Sequence, residues 1–150
     1  MERYIDIPKV WLLAALILAW LQKTFVGFGL SFGPVWADLV GGLLVGGGLV
    51  LMALAAYELR RHRTTVMPHE TASALVTSGI YSRSRNPIYV ADSLILTGMI
   101  LFWDAVLSLP LVPIFVWVME TRFIIPEENR LRRNFRADYA RYEKQTRRWL

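Results

Sequence analysis

Two short polar stretches carry most of the side chains able to do chemistry. The first, Leu75–Tyr89, reads LVTSGIYSRSRNPIY and contains Leu75, Val76, Gly79, Tyr81, Arg85, Asn86, Pro87 and Tyr89. An Asn-Pro step reads as a helix start, with Asn86 at the cap and Pro87 at the first helical position. The backbone N–H groups at such a start attract an anion, and Arg85 adds a guanidinium able to grip a carboxylate with two bonds. Gly79 permits a left-handed turn or a close backbone approach, while Tyr81 and Tyr89 offer rings and hydroxyls. The second stretch, Pro126-Glu127-Glu128, reads as the opening turn of another helix, where the dipole favours carboxylates. Each stretch also has a plain structural reading, as a cap with a headgroup anchor and as charge balance. The functional reading sets one glutamate, Glu127 or Glu128, against a cationic or hydroxyl-rich ligand.

Other chemistries are absent from the sequence. There is no cysteine, hence no disulfide, thiolate metal site or cysteine nucleophile. His62 and His69 stand in no metal-ligand pattern, so no metal is expected. The glycines of residues 41–48 lack the strand context of a nucleotide-binding loop and are expected to pack helices instead.

The elements that must position the two stretches are apolar. Of 150 residues 55% are hydrophobic, and the mean hydropathy is +0.37, beyond the usual apolar share of a soluble domain. Six Trp suit the two interfaces of a bilayer. The expected fold is an all-α integral membrane protein with about four transmembrane helices, the last two a tight hairpin, plus a C-terminal amphipathic cytosolic helix. Residues 1–57 supply two N-terminal spans, 58–87 a cytosolic loop, 88–125 the helical hairpin and 126–150 a capping helix. The run Val10–Leu21 gives only about 18 Å of helix against a ~30 Å hydrocarbon core. The first span is therefore expected to start near Pro8 and to pass Gln22 and Lys23; a re-entrant or interfacial segment is the alternative. Trp36–Tyr57 is the clearest span, and its small residues make it the expected central packing helix. Ile88–Trp103 and Ala105–Ile125 follow, separated only by Asp104, with Pro110 and Pro113 marking the start or a kink of the fourth span.

Charge sets the expected orientation. Arg60, Arg61, Arg63, Arg83 and Arg85 lie between the second and third spans, and the tail is rich in Arg. The other two links carry only Lys23 as a positive charge. The positive-inside rule puts the N-terminus, the 58–87 loop and the tail in the cytoplasm, with both polar stretches on one side. In the tail, Leu131, Phe135, Tyr139 and Tyr142 recur at helical spacing among arginines. Membrane lipid is the expected partner of that basic face, rather than nucleic acid.

The segment LVTSGIYSRSRNPIYV, an apolar hairpin, and then EENRLRRNFRADYARYEKQTRRWL resembles the isoprenylcysteine carboxyl methyltransferase and phospholipid methyltransferase family. The resemblance spans about Ala74 to Leu150. It implies a membrane enzyme dependent on S-adenosyl-L-methionine. It places Gly79, Tyr81, Arg85, Asn86, Pro87 and Tyr89 on one cofactor motif and Glu127, Glu128, Leu131, Phe135, Tyr139 and Tyr142 on another. On that basis Arg85 and the backbone near Asn86 are expected to hold the cofactor's carboxylate. Glu127 or Glu128 takes a ribose hydroxyl or its ammonium, and Arg85, Glu127 and Glu128 are the candidate catalytic residues. Asn86 and Ser73 stand where the eukaryotic isoprenylcysteine enzymes have His, and Arg136 replaces a glycine, so the acceptor is not fixed. It is expected to be a lipid or a lipidated or hydrophobic small molecule, such as an isoprenylcysteine carboxylate or a phospholipid amine. A carboxylate is already ionised, whereas an amine must lose a proton, with Glu or Tyr to assist. Asp92, Ser93 and Thr97 are expected to line the pocket floor or the acceptor entrance. The competing reading is a non-catalytic four-helix membrane module, a transporter subunit or scaffold.

Overall fold

The computed structural model describes residues 7–64 and 74–150. Ser73, His69 and the polar residues before Ile7 lie outside the described residues. The described chain is all-helical. Helix α1 is Pro8–Phe25, α2 is Pro34–Arg61, α3 is Pro87–Phe102, α4 is Leu111–Met119 and α5 is Ile125–Gln145. Proline opens α1, α2 and α3, where its missing N–H leaves no intrahelical bond unmade. Two helical stretches are long and apolar enough to cross a membrane, Val35–Arg61 and Val106–Gln145, and α3 is a shorter apolar helix.

Four expectations change. First, the central helix is α3, not α2. Over half of α3 is buried, and it touches α1, α2 and α4, whereas α2 is mostly exposed and leans on α3 and the turn at Gly79–Ser82. The small residues do work as expected at this seam. A Cβ on Gly41 would lie 2.6 Å from the Gly98 carbonyl oxygen, and one on Gly48 would lie 2.9 Å from that of Ala91. Gly41/Gly48 and Ala91/Gly98 repeat at seven residues on antiparallel helices, so the backbones touch twice.

Second, the link after the third helix is longer than Asp104 alone, and the fourth helix starts at Leu111, just after Pro110, one of the prolines expected to mark it. Asp104 adopts a left-handed φ of 60°, a 3₁₀ turn occupies Val106–Ser108, and Pro110 takes the cap position. Third, no new helix begins at Pro126. The chain passes from α4 through a π-helical turn, Glu120–Ile124, straight into α5. Proline cannot donate to the carbonyl four residues back and crowds it, and the widened turn just before Pro126 absorbs both effects. Glu127 and Glu128 therefore sit inside a continuous helix, without free N–H groups ahead of them. Fourth, the tail is not one straight helix. Arg136 leaves helical geometry (φ 40°, ψ −107°), and after Gln145 the chain folds back.

The α1–α2 and α3–α4 links meet at one end, where Phe32 N–H donates to Asp104 at 2.7 Å and Ser108 donates to Gln22 at 2.8 Å. The polar stretches meet at the other end. Between them, Leu12, Ala15 and Ala19 of α1 pack with Leu96 and Ile100 of α3 and with Phe115, Met119 and Phe123. Exposed Leu13, Ile17, Leu39, Leu43, Val50 and Trp117 form the outer apolar faces.

Candidate active site

The first polar stretch is pinned from three sides. Gly79 takes φ +60°, and a Cβ there would fall 2.5 Å from the Glu58 carboxyl carbon, so glycine serves both the turn and the close approach. Glu58, at the end of α2, is buried and accepts from Ser78 Oγ at 2.9 Å. Leu59 and Ala55 of α2 pack with Val76 and Tyr81. From α5, the Tyr142 hydroxyl donates to the Tyr81 carbonyl at 2.6 Å. From the folded-back tail, the Arg147 carbonyl accepts from Arg85 N–H at 2.9 Å, and the Arg148 carbonyl accepts from Asn86 Nδ2 at 3.0 Å. Asn86 occupies the cap position of α3, but its amide clasps the tail and makes no side-chain cap bond.

The two glutamates part company. Successive residues on a helix diverge by about 100°. Glu128 points into a buried cluster: Arg148 bonds both its oxygens at 3.0 Å, and Arg132 and Arg85 stand at 3.6 and 3.7 Å. Arg148 also bonds Glu120 on the π turn. Both carboxylates, by hydrogen bond and by charge, hold the Arg148 guanidinium far above its usual range. Glu127 points the other way, accepts from the Tyr89 hydroxyl at 3.2 Å and borders a cavity.

That cavity has a volume of about 340 Å³. Leu75, Val76, Tyr81, Arg85, Asn86, Tyr89 and Glu127 of the expected set line it, with Leu131 and Tyr142 of the second motif, and so do Thr64, Met52 and Lys9. Gly79, Pro87 and Glu128 do not border it. Asp92, Ser93 and Thr97 do not line it either. Ser93 and Thr97 bond the carbonyls of Tyr89 and Ser93 in their own helix, at 2.9 and 2.8 Å. Asp92 lies one turn beyond Tyr89, paired with Lys9. Thr64 and Lys9 were not foreseen. Nothing local in their sequence marks them, since each reaches the cavity through tertiary packing.

The polar groups of the lining suit a charged ligand. Arg85 Nε and Thr64 Oγ1 are buried and have no hydrogen-bond partner among the described residues. Buried polar atoms are normally paired, so two orphans on residues that border one cavity leave hydrogen-bonding capacity unfilled beside it. Burial, the nearby Glu127 carboxylate and Tyr142 push the Tyr81 phenol far up, and burial does the same to Tyr142. Both rings remain neutral hydroxyl donors and cannot act as ionised bases near pH 7. A cavity of this size accommodates an adenosyl amino acid, and the set of one guanidinium, one carboxylate and several aromatic rings fits that ligand's carboxylate, hydroxyls and base.

A family model described as phospholipid methyltransferase matches residues 36–138, about two thirds of the chain. No curated protein and no solved structure gives a match. The match takes in α2, which the motif resemblance did not reach, and stops before Tyr139, Tyr142 and Arg148. The chain belongs to the phospholipid methyltransferase family.

Proposed function

We propose that this family member is a membrane-embedded methyltransferase that uses S-adenosyl-L-methionine to methylate a lipid or a hydrophobic acceptor. The observation that carries the reading is the convergence of Arg85, Thr64 and Glu127 on one cavity, with Arg85 Nε and Thr64 Oγ1 lacking partners among the described residues. When bound, the cofactor supplies an electrophilic methyl group on a sulfonium that is already a good leaving group. The chain's residues then have to bind, align and exclude water. Arg85 receives the carboxylate, Thr64 adds a hydroxyl, and Glu127, held by Tyr89, takes the ribose hydroxyls or the ammonium. Glu128 is assigned to structure. Four spans with the cavity at the cytosolic face agree with the alternating helix direction and the positive loop charges. In that arrangement the acceptor reaches the cavity laterally from the bilayer, without leaving lipid.

The test is transfer of a labelled methyl group. Protein in nanodiscs is given methyl-labelled cofactor with phosphatidylethanolamine or with a prenylated cysteine. Label appearing in either acceptor supports the reading, and its loss in Glu127→Gln assigns the site. Unlabelled acceptors throughout, with no cofactor binding, contradict it.

A further inference from the structure

The cavity is also bordered by Pro8 and Lys9 of α1 and by Met52 and Ala56 of α2. There the Lys9 ammonium lies 3.4 Å from Met52 Sδ and forms an ion pair with Asp92 Oδ1. The two partners are unequal, because the Lys9 side chain is 48% exposed and that of Asp92 is 0% exposed. Asp92 Oδ2 is buried with no hydrogen-bond partner among the described residues.

A carboxylate shut away from water with one oxygen unpaired is costly, and structure alone does not call for it here. The α2–α3 seam is built from Gly41, Gly48, Ala91 and Gly98, without Asp92. Among the described residues, the groups facing Asp92 are Lys9 from α1 and Tyr89 from its own helix. From α2 comes Met52, touching Lys9, and Glu127 acts at one remove through the Tyr89 hydroxyl. The carboxylate thus already holds an alkylammonium, one that reaches it from the cavity and from solvent.

Resting on the methyltransferase reading, we propose that Asp92 is the catalytic base for an amine acceptor, which takes the place of Lys9 against it. The acceptor ammonium, R–NH₃⁺, gives one proton to the Asp92 carboxylate. The freed lone pair forms the N–CH₃ bond as the donor's S–CH₃ bond breaks, its electron pair staying on sulfur. The product is R–NH₂⁺–CH₃. Asp92 passes its proton to water as Lys9 returns, so one proton is released per transfer. A carboxylate acceptor has no proton to lose and needs none of this.

The test uses full-length protein in phosphatidylcholine nanodiscs, with dodecylamine and dodecanoate as probes. Asp92→Asn should weaken dodecylamine binding at least about thirtyfold, the usual effect of removing one partner of a buried charge pair. Binding of dodecanoate and of S-adenosylmethionine should stay within about twofold, the scatter expected for groups outside the interaction. Lys9→Met removes the competing ammonium and should tighten dodecylamine binding, whereas a purely structural ion pair would lose it. In single turnovers with dodecylamine, Asp92→Asn should gain about tenfold in rate per pH unit as free amine replaces the base, while the wild type levels off. Equal dodecylamine affinity with and without the Asp92 carboxylate, weaker binding in Lys9→Met, or unchanged pH profiles would each overturn the proposal. Failure of the wild type to bind S-adenosylmethionine would instead overturn the methyltransferase reading. If Asp92→Asn does not fold, the sign of the Lys9→Met effect decides.

Discussion

Glu127 and Glu128 are neighbours in sequence and belong to different machines. Glu128 is closed into a cluster with Arg148, Arg132 and Arg85, every oxygen engaged. Glu127 borders the cavity beside Tyr89. The same contrast runs through the whole polar end. One side is a clasp that holds the tail to the first motif through Arg85 N–H, Asn86 Nδ2 and Arg148. The other is a cavity whose buried Arg85 Nε and Thr64 Oγ1 have no partner among the described residues. Arg85 alone serves both, bordering the cavity while its Nη1 reaches towards Glu128 and Tyr139. Side chains with complete hydrogen bonding hold a site in shape, and those with incomplete bonding are where a ligand finishes the network.

The largest predicted effect breaks the clasp. Glu128→Ala leaves arginines facing a buried gap and should lower stability by ~3–5 kcal/mol, read from chemical or thermal unfolding in detergent. If Glu128→Ala unfolds like the wild type, the distinction between clasp and cavity fails. Next, Arg85→Ala should weaken S-adenosylmethionine by about 2 kcal/mol, roughly thirtyfold, because charged hydrogen bonds go with it. Gly79→Ala sharpens the structural side. Its left-handed φ and the Glu58 carboxyl at 2.5 Å should together cost about 1–2 kcal/mol of stability, with cofactor affinity affected less than by Arg85→Ala. Glu127→Gln should reverse the Glu128 pattern, changing unfolding by less than about 1 kcal/mol while weakening the cofactor about tenfold. The smallest effect is alkaline. Burial first, then the carboxylates of Glu128 and Glu143, push the Tyr139 phenol from 10.0 to about 12. The folded state then holds its proton more tightly than the unfolded chain. Stability from this group is intact below pH 10 and is lost as pH rises towards 12, which unfolding measured against pH would show.

How much of this was legible in the sequence follows from distance along the chain. The turn at Gly79, the proline helix starts and the apolar runs are local, and their signals stood in the sequence. The first motif was legible for the same reason: Tyr81, Arg85, Asn86 and Tyr89 reach one cavity from a single turn and the helix after it. The choice between the glutamates was not legible. It is made by Arg148, twenty residues on, after the chain has kinked at Arg136 and doubled back. The break at Pro126 was misread because proline signals a helix start more often than a helix that widens to pass it. The primacy of α3 over α2 was hidden as well. Glycines show that a helix can pack closely, but not on how many sides, and Gly42, Gly46 and Gly47 have nothing within 4 Å. Lys9 meets Asp92 across 83 residues, a pairing that no local pattern encodes.

The measurement that tests the central claim most directly is calorimetric titration of S-adenosylmethionine into the protein in lipid nanodiscs, with Arg85→Ala and Glu127→Gln alongside. The account predicts saturable binding to the wild type at one site per chain, weakened in both variants, neither of which loses its fold. No binding to the wild type, or wild-type affinity in both variants, would contradict it.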